Sequence, residues 1–291
     1  MKKLLFFTSL FYFMMICCNQ VYAFSRGIYL TQSTEQNTQK LTYLISQAKK
    51  YNLDTFIVDM NYPNQRYAAN IKTTLASGIH YVARVVIFPH GGTHVQITDK
   101  NIWAKKLKLV KYAAQLGASA IQLDYIRYRA AFPANPEKAK RVLTVVQYFK
   151  DELRPYHIPL QMDIFGIAGH KPAHTIGQDP RSLADVVDAF CPMVYPSHFE
   201  PFRHHATRPY QTIFDAVSAL KEQLQGKKHV DIFAYIELFN YRYSMPHTAR
   251  LNYIEAQMKA ARDSGASGWY VWTATNHYRP LFQVLAGKPN A

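Results

Sequence analysis

Two short segments of the chain repeat one pattern. In AIQLDYIRYR (residues 120–129), Gln122 and Asp124 stand two apart, and in LQMDIF (residues 160–165), Gln161 and Asp163 do the same. Each segment is an apolar run that ends on a carboxylate. Side chains two apart on a strand share a face, so each Gln–Asp pair faces one way and Ile121, Leu123, Met162 and Ile164 face the other. A buried carboxylate without a partner is expensive, so the repeat calls for a chemical reason. On adjacent strands, which lie about 4.8 Å apart, the two carboxylates would sit roughly 5–6 Å from one another. Retaining glycoside hydrolysis needs a pair at about 5–5.5 Å, one carboxylate as nucleophile and one as acid/base. The spacing leaves open which acid takes which role, although Arg84 beside Asp124 would keep that carboxyl ionised, as a nucleophile needs. A pairing of Asp124 with Glu237 would be wider and would suit inversion. The competing reading is a structural ion pair, with Arg84 inside VARVV or Arg127 just past Asp124 as the counter-ion.

Further candidates are Asp59, which ends FIVD, and Tyr195, His198 and Trp272, whose ring faces and polar edges suit sugar. With Arg84 and Arg127 they form the expected substrate-binding set. Trp269, Tyr270 and Tyr278 fall near the same rim, with Trp269 and some of the tyrosines assigned to core. His90 and His94, and His170 and His174, have the H-x₃-H spacing of a metal pair on a helix. Gly91 and Gly92 interrupt the first stretch and Pro172 the second, so neither reads as helical. The expectation is no metal and no cofactor, with a metal-dependent polysaccharide deacetylase as a lesser alternative.

These residues need a frame that gathers strand ends. Strand-like runs at residues 27–30, 55–60, 81–88, 120–125, 160–165, 189–195, 230–238 and 268–274 alternate with helical periodicity at 38–51, 67–77, 101–116, 136–154, 182–187, 209–224 and 248–264. A short helix closes the chain after Arg279. Regular alternation implies a parallel sheet. Eight strand-then-helix units at this length imply a (β/α)8 TIM barrel, whose active-site groups come from the C-terminal strand ends. An open doubly wound sheet usually carries a glycine-rich turn after its first strand. GIYLTQSTEQN has none.

The chain has 291 residues, 48% of them hydrophobic and 14% aromatic, with a formal net charge of +15. Residues 1–23 have a basic start, an apolar run and the A-x-A-like ending Val21-Tyr22-Ala23 of a secretory signal peptide. The expectation is a single barrel over residues 24–291, secreted or periplasmic after cleavage near Ala23. No small residue precedes Cys17, so lipid attachment at Cys17 or Cys18 is not expected. Cys191 would then be the one remaining thiol, and AFCPMVY reads as a buried strand. Export and the dispersal of the basic residues argue against nucleic acid. They favour a polysaccharide or oligosaccharide partner, anionic forms included, with no stable membrane span.

The segments GASAIQLDYIRY, QMDIFGIAG, TIGQDPRSLADVVDAFCPMVYPSHF and GASGWYVWTATNHY, in this order, resemble the bacterial putative glycoside hydrolase domain family, near the α-amylase-like barrels. The resemblance also takes in FIVDM and YVARVVIFP. It implies a (β/α)8 barrel that acts on polysaccharide, with the fourth-strand Asp124 as nucleophile and the fifth-strand Asp163 as acid/base. One departure falls after the seventh strand, where the family usually has a WLQDF-like run. Here YIELF puts Glu237 at the Gln position and Leu238 at the Asp position, so Glu237 joins Asp124 and Asp163 as a candidate catalytic acid. The alternative function is a carbohydrate- or cell-wall-binding barrel without turnover.

Overall fold

The computed structural model describes residues 24–287 except Phe132 and Asn240. Residues 1–23, the segment expected to be a signal peptide, with Cys17 and Cys18, lie outside the described residues. Eight strands form the fold: β1 Ser25–Leu30, β2 Thr55–Asp59, β3 His80–Val86, β4 Ala120–Asp124, β5 Leu160–Phe165, β6 Ala189–Met193, β7 Asp231–Glu237 and β8 Gly268–Trp272. All neighbours pair in parallel, and β8 pairs with β1 to close the barrel. Closure leaves no free sheet edge.

The connecting helices follow from local sequence. The helix Thr38–Tyr51 buries Leu41, Leu44, Ile45 and Ala48, which recur at helical spacing, and Asn37 caps its N-terminus. Pro136 opens the helix Pro136–Leu153, where its missing N–H costs nothing, and Asn135 caps it. The fifth helical segment, expected over residues 182–187, is instead the short helix Pro180–Leu183, capped by Asp179. Pro180 stands at its N-terminus, so the proline fixes where the turn begins.

Alternation along the strands divides the apolar residues into two layers. Ile28, Phe56, Ile121, Leu123, Met162 and Ile236 belong to the core between strands and helices. Tyr29, Ile57, Cys191, Tyr195, Tyr235 and Tyr270 fill the barrel interior. Beneath the acids, Gln122 donates to Gln161 Oε1 at 3.2 Å and accepts from Tyr235 Oη at 2.8 Å. This polar floor explains the glutamine in each Q-x-D repeat, because each buried amide finds partners inside the barrel.

Candidate active site

Register places the acids. Asp59, Arg84, Gln122 and Gln161 are successive pairing partners across β2 to β5. Asp124 stands two residues above Gln122 and Asp163 two above Gln161, so both acids share the interior face one layer up. Arg84 rises from the row below into the space between them. Its Nη1 binds Asp59 and its Nη2 binds Asp124, while its Nε lies 3.7 Å from Asp163 Oδ2. One guanidinium thus serves three carboxylates on three strands. Asp59 also accepts from Tyr29 Oη at 2.5 Å.

The two central acids have different surroundings. Asp124 accepts from Arg84 and from the backbone N–H of Tyr125, at 2.5 Å. Tyr125 itself sits in the left-handed region, with φ of 53°, a costly conformation for a non-glycine residue. Asp163 is buried, and its Oδ1 has no hydrogen-bond partner among the described residues. Burial, reinforced by the Asp124 charge, pushes the Asp163 carboxyl well above the usual carboxylate range against the pull of Arg84. Two neighbouring carboxylates with environments this different suit opposite halves of acid/base chemistry.

A cavity of about 200 Å³ opens above these acids. Asp124, Asp163, Arg84, Arg127, Tyr195, His198 and Trp272 all line it. Tyr195 and Trp272 are tilted rings with centroids 6.1 Å apart, and Phe239 meets Trp272 edge-on at 4.7 Å. Burial and the Arg242 charge lower the pKa of His198. Gly166 lines the same cavity, and a Cβ there would meet the Phe199 ring at 2.4 Å and the Met193 carbonyl at 2.7 Å.

Register and packing decide points that the sequence left open. Arg84, not Arg127, is the counter-ion of Asp124. The Arg127 guanidinium instead packs against the rings of Tyr125 and Phe165, and its Nη1 donates to the Tyr128 carbonyl at 3.0 Å. Glu237 is not in the cavity lining. It is fully buried and accepts from Ser197 Oγ at 2.5 Å, the Ser197 N–H at 3.1 Å and Tyr253 Oη at 2.7 Å. That ties it to the segment carrying Tyr195 and His198 and takes it away from Asp124. Tyr278 is buried and donates to the Tyr29 carbonyl, and Trp269 is core. In the two histidine stretches, His94 begins the helix His94–Thr98 and His170 ends the helix Ile167–His170, so neither pair shares a helix. Among the described residues no group of three or more His, Cys, Asp or Glu side chains could hold a metal ion.

The sequence reading missed Tyr29, Tyr125 and Gln178. Gln178 lines the cavity and clamps the end of β5, donating to the Asp163 carbonyl at 3.2 Å and accepting from the Phe165 N–H at 2.9 Å. Alternation along GIYL would have found Tyr29, which shares the interior face with Gly27. The clamp joins residues fifteen apart and leaves no periodic signal.

Residues 89–278 match the family model described as "Putative glycosyl hydrolase domain". The chain belongs to this family. Asp124, Asp163 and Trp272 fall inside the matched segment, and Asp59 and Arg84 precede it. The fold is similar to the C-terminal domain of a putative chitinase from Desulfitobacterium hafniense, at 11% identity and TM-score 0.62, covering 91% of this chain and 99% of that one. It is also similar to a spore cortex-lytic enzyme of Bacillus megaterium, at 12% and 0.63, covering 91% and 74%. An endo-β-1,4-mannanase from Thermotoga petrophila matches at 13% and 0.64, covering 93% and 77%. At these identities the likeness is one of fold. No curated protein matches the chain. Among the described residues no helix is long and apolar enough to cross a membrane.

Proposed function

We propose that this glycosyl hydrolase family member is an exported enzyme that cleaves a polysaccharide by retaining double displacement. Asp124 attacks the anomeric carbon while Asp163 gives its proton to the glycosidic oxygen, and the leaving alcohol departs. Asp163, now ionised, takes a proton from water. The resulting nucleophile displaces Asp124 from the sugar and restores both groups. The observation that carries this reading is the asymmetry of the two acids. Asp124 is held by a guanidinium and an N–H, while Asp163 is buried with one oxygen unpartnered. Both line the same cavity.

Aromatic walls support a sugar ligand. The exposed side chains of Tyr62, Val95, Ile167 and Phe202 lie in the segments after β2, β3, β5 and β6. They offer apolar contacts beyond one ring, which favours a polymer. The basic, apolar N-terminal segment supports export.

The test is incubation of the protein lacking residues 1–23 with a panel of neutral, anionic and cationic glycans, followed by mass spectrometry of the products and NMR of the first-formed anomer. The expected result is oligosaccharide release with retained configuration, abolished by Asp124→Asn in a variant that keeps its circular dichroism spectrum. Unchanged release by that variant, or an inverted product, overturns the assignment. Glycan binding without release supports the binding-barrel alternative.

A further inference from the structure

We infer that the substrate is an anionic saccharide, and that Arg127 recognises its carboxylate or phosphate substituent. The inference rests on the saccharide-cleaving reading of the same cavity and adds the chemical class of the ligand.

Among the described residues, Arg127 is the arginine of the cavity without a carboxylate partner. Arg84 is committed to Asp59, Asp124 and Asp163. Arg127 lines the same space, yet among the described residues it forms no ion pair, and its Nε has no hydrogen-bond partner. Its guanidinium carbon lies 4.9 Å from the Phe165 ring centroid and 5.2 Å from that of Tyr125. A Cβ on Gly91, whose φ is +87°, would meet Arg127 Nη1 at 2.6 Å. Arg127 Nη1 therefore lies against bare backbone at Gly91. Holding a half-buried cation in place without a carboxylate is costly, and a planar guanidinium suits a carboxylate or phosphate partner. Asp124 offsets part of the Arg127 charge from nearby, but it is bonded to Arg84.

The rim repeats the imbalance. Residues 125–135, 166–179, 194–208 and 238–246, which follow β4, β5, β6 and β7, carry Arg127, Arg129, Lys171, Arg203, Arg208 and Arg242. Among the described residues none of the six is ion-paired. The same segments carry two acids, Asp179, which caps the helix Pro180–Leu183, and exposed Glu200. Elsewhere basic side chains find acids, as in Lys111–Glu152, Lys150–Asp188 and Lys227–Asp185. A positive rim above an acidic floor draws in an anionic chain and holds its charged substituent away from the reacting carboxylates.

The experiment measures binding and cleavage separately. Calorimetry with the Asp124→Asn variant, which need not turn over, compares a uronic-acid oligomer, its carboxyl-reduced counterpart and a phosphodiester-linked sugar oligomer. The expected result is a preference for one of the charged ligands over the neutral one of roughly tenfold to hundredfold, as for a hydrogen bond to a charged group. The preferred charged arm identifies the substituent. Adding Arg127→Met should collapse that preference, and Arg127→Lys should restore part of it. Equal binding of charged and neutral ligands, no binding of any of them, or a preference that survives Arg127→Met, overturns the inference. Charged-ligand preference without cleavage by the unsubstituted protein keeps it and overturns the hydrolase reading instead.

Discussion

Asp163 Oδ2 lies 3.7 Å from Arg84 Nε, while its Oδ1 has no partner among the described residues. Arg84 spends its two Nη groups on Asp59 and Asp124, which leaves Asp163 the weakest share of the cation. Burial and the Asp124 charge outweigh that share and raise the Asp163 pKa. A proton on Asp163 is what a general acid needs, and it is held below the raised pKa and lost above it.

Activity should therefore fall as pH rises through the Asp163 pKa. Asp163→Asn should lower kcat for natural glycosides and flatten that alkaline limb. Aryl glycosides whose leaving group departs without protonation should lose much less. The pH dependence of kcat/KM on both substrate types checks this, and equal losses on the two would remove Asp163 from the role of acid.

Replacing Arg84 leaves Asp59, Asp124 and Asp163, in two adjoining interior layers, without their shared counter-ion. Removing one partner of a buried pair costs about 3–5 kcal/mol. Arg84→Met should lower stability by that order at neutral pH, and the loss should shrink in acid, where protonated carboxyls no longer repel each other. Urea denaturation at pH 7 and pH 4.5 measures both effects. An equal loss at the two pH values would show that Arg84 acts through packing and not charge.

Most of this frame was legible in the sequence because strand alternation and helix periodicity are local. The fifth strand, residues 160–165, has the bounds that its pattern implies. Gln122 and Gln161 announced an interior face by repeating two residues before each acid. What stayed hidden was pairing across the barrel. Arg84 and Arg127 both stood near Asp124 in the sequence reading, and register decides between them by setting Arg84 beside Gln122, one row beneath the acid. Glu237 misled for a related reason. It ends its strand as the other acids do, but Ser197 and Tyr253, forty and sixteen residues away, draw its carboxylate aside.

Glu237 should behave as a positioning residue. Its carboxylate holds both the Ser197 N–H and hydroxyl, next to His198 and Tyr195 in the cavity wall. Burial pushes its pKa up to about 7 against the pull of those hydrogen bonds. A carboxyl with a raised folded pKa binds its proton more tightly folded than unfolded, so its share of stability falls as pH rises from about 4.5 to about 7. Glu237→Gln should flatten that slope and raise KM more than it lowers kcat. Thermal unfolding across pH 4 to 8, with kinetics at each pH, checks the pair of effects. A loss confined to kcat would return Glu237 to the catalytic set.

Glu35 gives the plainest stability test. It ends the short helix Gln32–Glu35, is fully buried, and neither carboxylate oxygen has a hydrogen-bond partner among the described residues. Burial alone pushes its pKa up to about 8. The folded state therefore holds the Glu35 proton across the range where the unfolded chain releases it, and stability declines as pH rises from about 4.5 to about 8. Replacing an unsatisfied buried polar group by an apolar one of similar shape removes a penalty of about 1–3 kcal/mol. Glu35→Met should thus stabilise the protein at pH 8, by more than at pH 5, and leave turnover intact because Glu35 does not line the cavity. Denaturant midpoints at the two pH values decide it, and a destabilised variant at pH 8 would mean that the carboxyl has partners supplied by buried water.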